Sequence, residues 1–580
     1  MLDRVSRHRG SILLLGAAAF LAVAGQARAD HPPAVQSVPG LDVTRAAEPP
    51  LLPTPQAECG PGSRPETGLQ GRVSPEDHAS GRAAEGFTCN TELVGSFTDP
   101  NTQGTVGGFK VERYVDSTGR ECAYYDTTLL FPTDVTDALA GVNVLDMSDP
   151  AHPKLTDTLI SPAMVSPHES LVVSQKRGLI VAVAGNPAFA PGIVDVYDAS
   201  ADCRDPVLRS STPMGVFGHE SGLSPDGKTF YSASPGTETI VAIDISNPSL
   251  PIPLGYYDYD SHGLSISADG NRAYVAGINS GLIILDTSEI QARVPGPSVR
   301  EVARLTWDSM SIPQNAIPVT IDGHPFVVEI DEFGAGSEVG AGRIIDIGDE
   351  ANPQVISNLR LEVHQPENFG TIAGDPGTFS PIQGYAGHYC NVPTRVDPQI
   401  VACSMILSGL RVFDISDPYN PKEIAYFNAP VAPRTVNAGV SEASNYAMSS
   451  PSFVPERNEI WYSDGFSGFY AVRLTNQAAQ LAGGCNEVRG TGKKDRLRGT
   501  VGPDCLRGRG GPDRIKGRAG DDKLYGGRGR DRLAGGDGDD VIKARRGSRD
   551  RIICGKGRDT AFVDPQRDRW RGCEKIRRSV

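Results

Sequence analysis

The chain has 580 residues, 39% of them hydrophobic and 22% charged, with a formal net charge of −14 at pH 7. That charge is divided: from Asn486 to Val580 there are 27 Lys and Arg against 15 Asp and Glu, leaving 29 against 55 upstream, so the two parts read as separate domains. Past the N-terminus no segment approaches about twenty uncharged apolar residues, which argues against a membrane-spanning helix.

The first residues carry Arg4, Arg7 and Arg9, then an apolar run from Ile12 to Ala24, then Ala27, Arg28 and Ala29. This is the pattern of a secretory signal peptide over residues 1–29. Residues 30–88 are rich in Pro and Gly, as at Pro49, Pro50, Pro53 and Pro55, and are expected to be an extended linker tied down where Cys59 pairs with Cys89. Ten cysteines, none in a CxxC pair, read as disulfides in an exported chain. Cys390 with Cys403, Cys485 with Cys505 and Cys554 with Cys573 are candidate pairs, although spacing alone leaves the connectivity open.

From residue 89 to 484 the texture is short β-branched and aromatic strands between Asp, Ser, Asn, Gly and Pro, hence all-β. One unit recurs seven times: GVNVLDMSDP at 141, GIVDVYDAS at 192, TIVAIDISNP at 239, GLIILDTS at 281, GRIIDIGD at 342, GLRVFDISDP at 409 and GFYAVRLTN at 468. Each apolar run suits a strand buried on both faces, and the Asp and Ser after it can satisfy turn amides. Seven copies predict a seven-bladed β-propeller. The seventh lacks a following strand, so ELVGSF at 92–97 is expected to complete that blade and close the ring. These units resemble LVIVD repeats, a resemblance that implies the propeller fold and leaves the activity open.

Residues 485–580 fall into a nine-residue register, as in GGRGRDRLA and GGDGDDVIK, with Asp495, Asp504, Asp513, Asp522, Asp531, Asp540 and Asp559 at the sixth place. This resembles the RTX calcium-binding nonapeptide and implies a β-roll or solenoid whose sixth-place Asp residues bind calcium, Asp522, Asp531 and Asp540 foremost. The eighth residues, Leu497, Leu506, Ile515, Leu524, Leu533 and Ile542, would fill its interior. Thr or Arg replaces Gly at the second place of several units, and Arg or Lys crowds the turns at 493, 494, 528 and 530. The competing reading is a structural solenoid whose Asp residues pair with Arg. The positive charge is either a solvated face or an attraction for a surface polyanion.

Within the propeller, His168, His219, His262 and His388 stand at the start of innermost strands, around the axial channel. Imidazoles there suit iron, copper or zinc, and the arrangement is similar to the metal-binding axial histidines of the carotenoid oxygenases and methanethiol oxidases. The expectation favoured over it is that these rings spread around a wide channel and bond to backbone. Glu169 and Glu220, next in sequence, are expected on the opposite strand face. Glu329, Asp331 and Glu332 read as a solvated strand end. No GxSxG, phosphate loop or HExxH is present, and nucleic-acid recognition has little support. The sequence thus reads as a monomeric, secreted or cell-envelope-associated propeller that binds an extracellular ligand without catalysis, with a metal-dependent oxidoreductase as the alternative.

Overall fold

The seven apolar runs become the third strands of seven blades: Val142–Asp146, Val194–Asp198, Thr239–Asp244, Gly281–Asp286, Gly342–Asp346, Gly409–Asp414 and Gly468–Leu474. Nearly all their residues are buried, since neighbouring blades cover both faces. At the end of most of them the Asp carboxylate folds back on its own turn: Asp146 Oδ1 accepts from Ser148 N at 2.9 Å and from its Oγ at 2.6 Å. Asp198, Asp286 and Asp414 repeat the arrangement with Ser200, Ser288 and Ser416. Such bonds satisfy the turn amides from residues within the turn itself.

The computed structural model describes residues 44–99, 106–127, 141–185, 191–332, 339–378, 384–431, 444–482, 486–500, 504–544 and 549–578. The signal-peptide segment and Cys485 lie outside them. Each blade is a four-stranded antiparallel sheet, two of them extended by a fifth strand at the outer edge. In the last blade Ser452–Val454, Glu459–Asp464 and Gly468–Leu474 are joined by Thr91–Phe97, which pairs antiparallel with Gly468–Leu474. The first and last blades are thereby tied together, as the missing fourth strand required. No helix among the described residues is long and apolar enough to cross a membrane.

The segment read as a linker proves otherwise from residue 44 on. Thr44–Ala46 adds a parallel strand to the fourth blade, and Phe87–Cys89 an antiparallel strand to the sixth. Between them the chain is pinned by buried charge. Arg411 pairs with Glu66 and, at 3.0 Å, with Glu423, while Gln70 Nε2 donates to Glu423 at 2.9 Å. Arg72 meets Asp375 at 2.8 Å. Composition alone could not show this, because the partners lie about 300 residues away in sequence.

Disulfides join Cys59 to Cys89, Cys122 to Cys203, Cys390 to Cys403 and Cys554 to Cys573. These four bridges among the described residues suit an extracellular or periplasmic chain.

The C-terminal region is a β-solenoid of two parallel sheets. One contains Asn486–Arg489, Asp504–Arg507, Lys523–Tyr525, Val541–Lys543, Thr560–Val563 and Lys575–Arg578; the other Arg496–Arg498, Arg514–Ala519, Arg532–Asp537, Arg551–Lys556 and Arg569–Arg571. Two nonapeptides make one coil, so residues 18 or 19 apart stack. Leu506, Ile515, Leu524, Leu533 and Ile542 fill the interior as the eighth-place rule demands, with Leu497 partly buried at its end. Arg507 Nη2 reaches Asp397 and Lys543 Nζ reaches Asp322, each at 2.8 Å, so the first sheet is ion-paired to propeller loops.

Candidate functional site

Two places concentrate chemistry. The first is the start of the innermost strands. His168, His219, His262 and His388 are all buried there. Their rings are not spread around a wide channel: the ring centroids of His168 and His219 lie 4.4 Å apart and those of His219 and His262 4.1 Å apart. His168 Nε2 and His219 Nε2 are separated by 3.0 Å. Backbone anchoring, the other half of the expectation, holds for two of them. His262 Nδ1 lies 3.0 Å from Pro313 O and His388 Nδ1 2.6 Å from Met448 O, which turns each Nε2 inward.

The glutamates correct the sequence reading further. His168 and Glu169 have φ of 40° and 67°, and regular pairing in that strand begins only at Val172. Strand alternation therefore does not apply, and Glu169 turns in among the imidazoles. Its Oε2 lies 2.7 Å from His219 Nδ1 and accepts from Gln314 Nε2 at 2.6 Å and from Tyr389 Oη at 2.9 Å; its Oε1 is 3.5 Å from His388 Nε2. Glu220 likewise faces inward, 3.0 Å from Lys110 Nζ and bonded to Asn315 Nδ2 at 2.9 Å.

Glu329, Asp331 and Glu332 are not a solvated strand end. The first two are wholly buried against Arg343, which also stacks on Trp307 at 4.3 Å. Glu332 bridges the cluster, with Oε1 3.2 Å from His262 Nε2 and Oε2 3.1 Å from His388 Nε2.

Electrostatically this is one coupled unit. Burial opposes charge on Glu169, yet His219 and His388 hold its carboxyl well below the usual range. Burial would also lower His388, but hydrogen bonds and charge from Glu169 and Glu332 lift it to about 9. His262, desolvated and beside His219, is driven well below its ordinary value. Lys110, Tyr389 and Gln314 carry no motif that assigns them to this site; Tyr389 follows His388 directly, but nothing in one sequence shows that Lys110 crosses to Glu220.

The second place is the solenoid turns. From Asp513 onward each sixth-place Asp accepts, through Oδ1, from the backbone N–H of the Asp one coil earlier: Asp522 from Asp504 at 2.8 Å, Asp540 from Asp522 at 2.9 Å, Asp531 from Asp513 at 2.9 Å. Asp522 and Asp540 thus stack on one edge, while Asp531 belongs to the opposite edge. The ladders also take in Asp550, Asp568 and Glu574, which the insertion near residue 545 hid from a strict nine-residue count.

Oδ2 of Asp513, Asp522, Asp531, Asp540, Asp550 and Asp559 is buried without a hydrogen-bond partner among the described residues. None of these six carboxylates has an ion pair with Arg or Lys there, so the arginine-paired alternative finds no support. Burial and the neighbouring Asp charges raise Asp522, Asp540 and Asp550 to about 7 and Asp531 to about 6. Oxygen-only donors, close-packed and short of positive charge, fit calcium. Arg509 and Arg518, where the repeat prefers Gly, adopt φ of 68° and 103° and are exposed, Arg518 Nη1 donating to Gly499 O at 3.4 Å rather than to a carboxylate.

The family comparisons agree with this division. An RTX calcium-binding nonapeptide repeat model matches residues 489–524, 507–542 and 525–561, and an LVIVD repeat model matches 236–259 and 262–290. The chain is a seven-bladed propeller carrying LVIVD repeats and a C-terminal array of RTX repeats. No curated protein matches the sequence. Among solved structures, hydrazine synthase of Kuenenia stuttgartiensis is 16% identical over 51% of this chain and 73% of its own, with a TM-score of 0.34. The periplasmic gluconolactonase PpgL of Pseudomonas aeruginosa is 13% identical over 58% and 92%, with a TM-score of 0.40. A functionally unknown protein of Desulfotomaculum acetoxidans is 14% identical over 57% and 86%, with a TM-score of 0.38. Likenesses this distant carry no argument about activity.

Proposed function

We propose that this is an exported, calcium-ordered binding protein that attaches through its C-terminal coils to a polyanion of the cell envelope or extracellular surface. One observation carries the reading: Arg496, Arg514, Arg532, Arg551 and Arg569 are register partners on adjacent parallel strands of the second sheet. All five are exposed, and none has an ion pair among the described residues. Arg498 and Lys516 begin a parallel column beside them. Strand spacing sets successive cations about 4.8 Å apart. At that distance neighbouring charges repel by roughly 0.9 kcal/mol in water, a cost that a polymer of repeating phosphate or sulfate groups relieves. Bidentate guanidinium recognition suits such groups. The first sheet is ion-paired to propeller loops, and among the described residues the arginine sheet has no such pairing.

Calcium enters because the coils that align the arginines also stack the carboxylates. The propeller is then the cargo that the coils hold in place. Binding of the whole protein to immobilised polyphosphate, in calcium and at graded salt, tests the reading. The expected result is retention that weakens steeply with salt and is lost in Arg514→Glu/Arg532→Glu. Retention unchanged by that double substitution would remove the proposal.

A further inference from the structure

The axial cluster has no part in that attachment and asks for its own account. Glu169 is enclosed with four imidazoles and Glu332. A purely structural network needs neither two consecutive non-glycine residues at positive φ nor an imidazole, His219, packed against two others, and such backbone strain is found where a site holds it in place. Buried oxygens around the cluster also remain uncommitted. Gln314 and Asn315 spend their amide N–H groups on Glu169 and Glu220, yet Gln314 Oε1, Asn315 Oδ1 and Glu220 Oε2 have no hydrogen-bond partner among the described residues.

We propose that His168, His219 and Glu169 form a binding site for one divalent first-row transition metal ion. One donor atom from each lies within 4.8 Å of the others, and all three residues are buried. The 3.0 Å between His168 Nε2 and His219 Nε2, a hydrogen-bond distance in its own right, also matches two metal–nitrogen bonds of about 2.0–2.1 Å at nearly a right angle. Two imidazoles and one carboxylate, with no thiolate, suit iron(II) and its neighbours and leave further coordination positions open. Gln314 and Tyr389 orient Glu169 by hydrogen bonds, the outer-shell support that metal carboxylates receive. His262, Glu332 and His388 form the adjoining wall.

Cobalt(II) alone, added to the tag-free, chelator-treated full-length protein, is the probe. One equivalent should bind, with visible d–d absorption, and the as-isolated protein should hold up to one equivalent of a first-row metal by elemental analysis. His219→Ala should abolish the absorption. Glu169→Gln, which keeps shape and fold, should weaken cobalt binding at least tenfold, and it decides the matter if His219→Ala does not fold. Asp522→Asn/Asp540→Asn should leave the absorption intact, separating this site from the calcium ladders. Absence of stoichiometric cobalt in the wild type, or an unchanged spectrum in both site variants, would overturn the proposal, whether or not the polyanion binds.

Discussion

Replacing Asp540 by Asn separates a calcium ligand from a structural acceptor, because the two roles predict opposite signs. Asp540 Oδ1 accepts from Asp522 N, a bond the Asn carbonyl can keep, while Oδ2 is buried without a partner. Burial and the charges of Asp522, Asp559 and Asp521 raise this carboxyl from 3.8 to about 7. A carboxyl raised that far would cost roughly 4 kcal/mol at most when ionised, and screening by solvent at the turn reduces this to about 1–2 kcal/mol. In chelator at pH 8 the Asn variant should therefore be as stable as the wild type or up to that amount more stable. In calcium the order reverses, since a site saturated to a hundred times its dissociation constant contributes about 2.7 kcal/mol, which the variant forfeits. Hydrogen exchange of the coil amides at pH 8, with and without chelator, reads both arms without interference from the propeller. Protection that responds to the substitution identically with and without calcium would refute the calcium-ligand role.

Metal-free protein should lose coil stability as pH rises. The folded-state values of Asp522, Asp540 and Asp550 lie above the unfolded value, so the unfolded chain releases protons first, between about pH 4 and 7, and the penalty is complete above 7; chelated protein more stable at pH 8 than at pH 5 would contradict this. Deleting residues 91–97 removes the strand that pairs with Gly468–Leu474 and should cost several kcal/mol, seen as a lower melting temperature; an unchanged one would refute ring closure. Glu66→Ala leaves Arg411 buried with one carboxylate fewer and should destabilise by about 3–5 kcal/mol in denaturant titration, whereas a loss below 1 kcal/mol would mean the strap carries little of the fold.

The sequence by itself determined the features that repeat locally. Blade number follows from seven apolar runs, most of them ended by an Asp that bonds the Ser two residues on, as at Asp146 and Ser148. The solenoid interior follows likewise from the eighth-place aliphatics. Tertiary structure decided what depends on distant partners or on broken periodicity. Positive φ at His168 and Glu169 cancels the alternation that assigned Glu169 to the opposite face. Glu332 enters the cluster from another blade, and residues 44–88 are held by charges such as Arg411 and Asp375. A nine-residue repeat does not say which units share a sheet. Only the coil of two units puts Arg496, Arg514, Arg532, Arg551 and Arg569 in one column, because hydrogen bonding between parallel strands aligns residues one full coil apart.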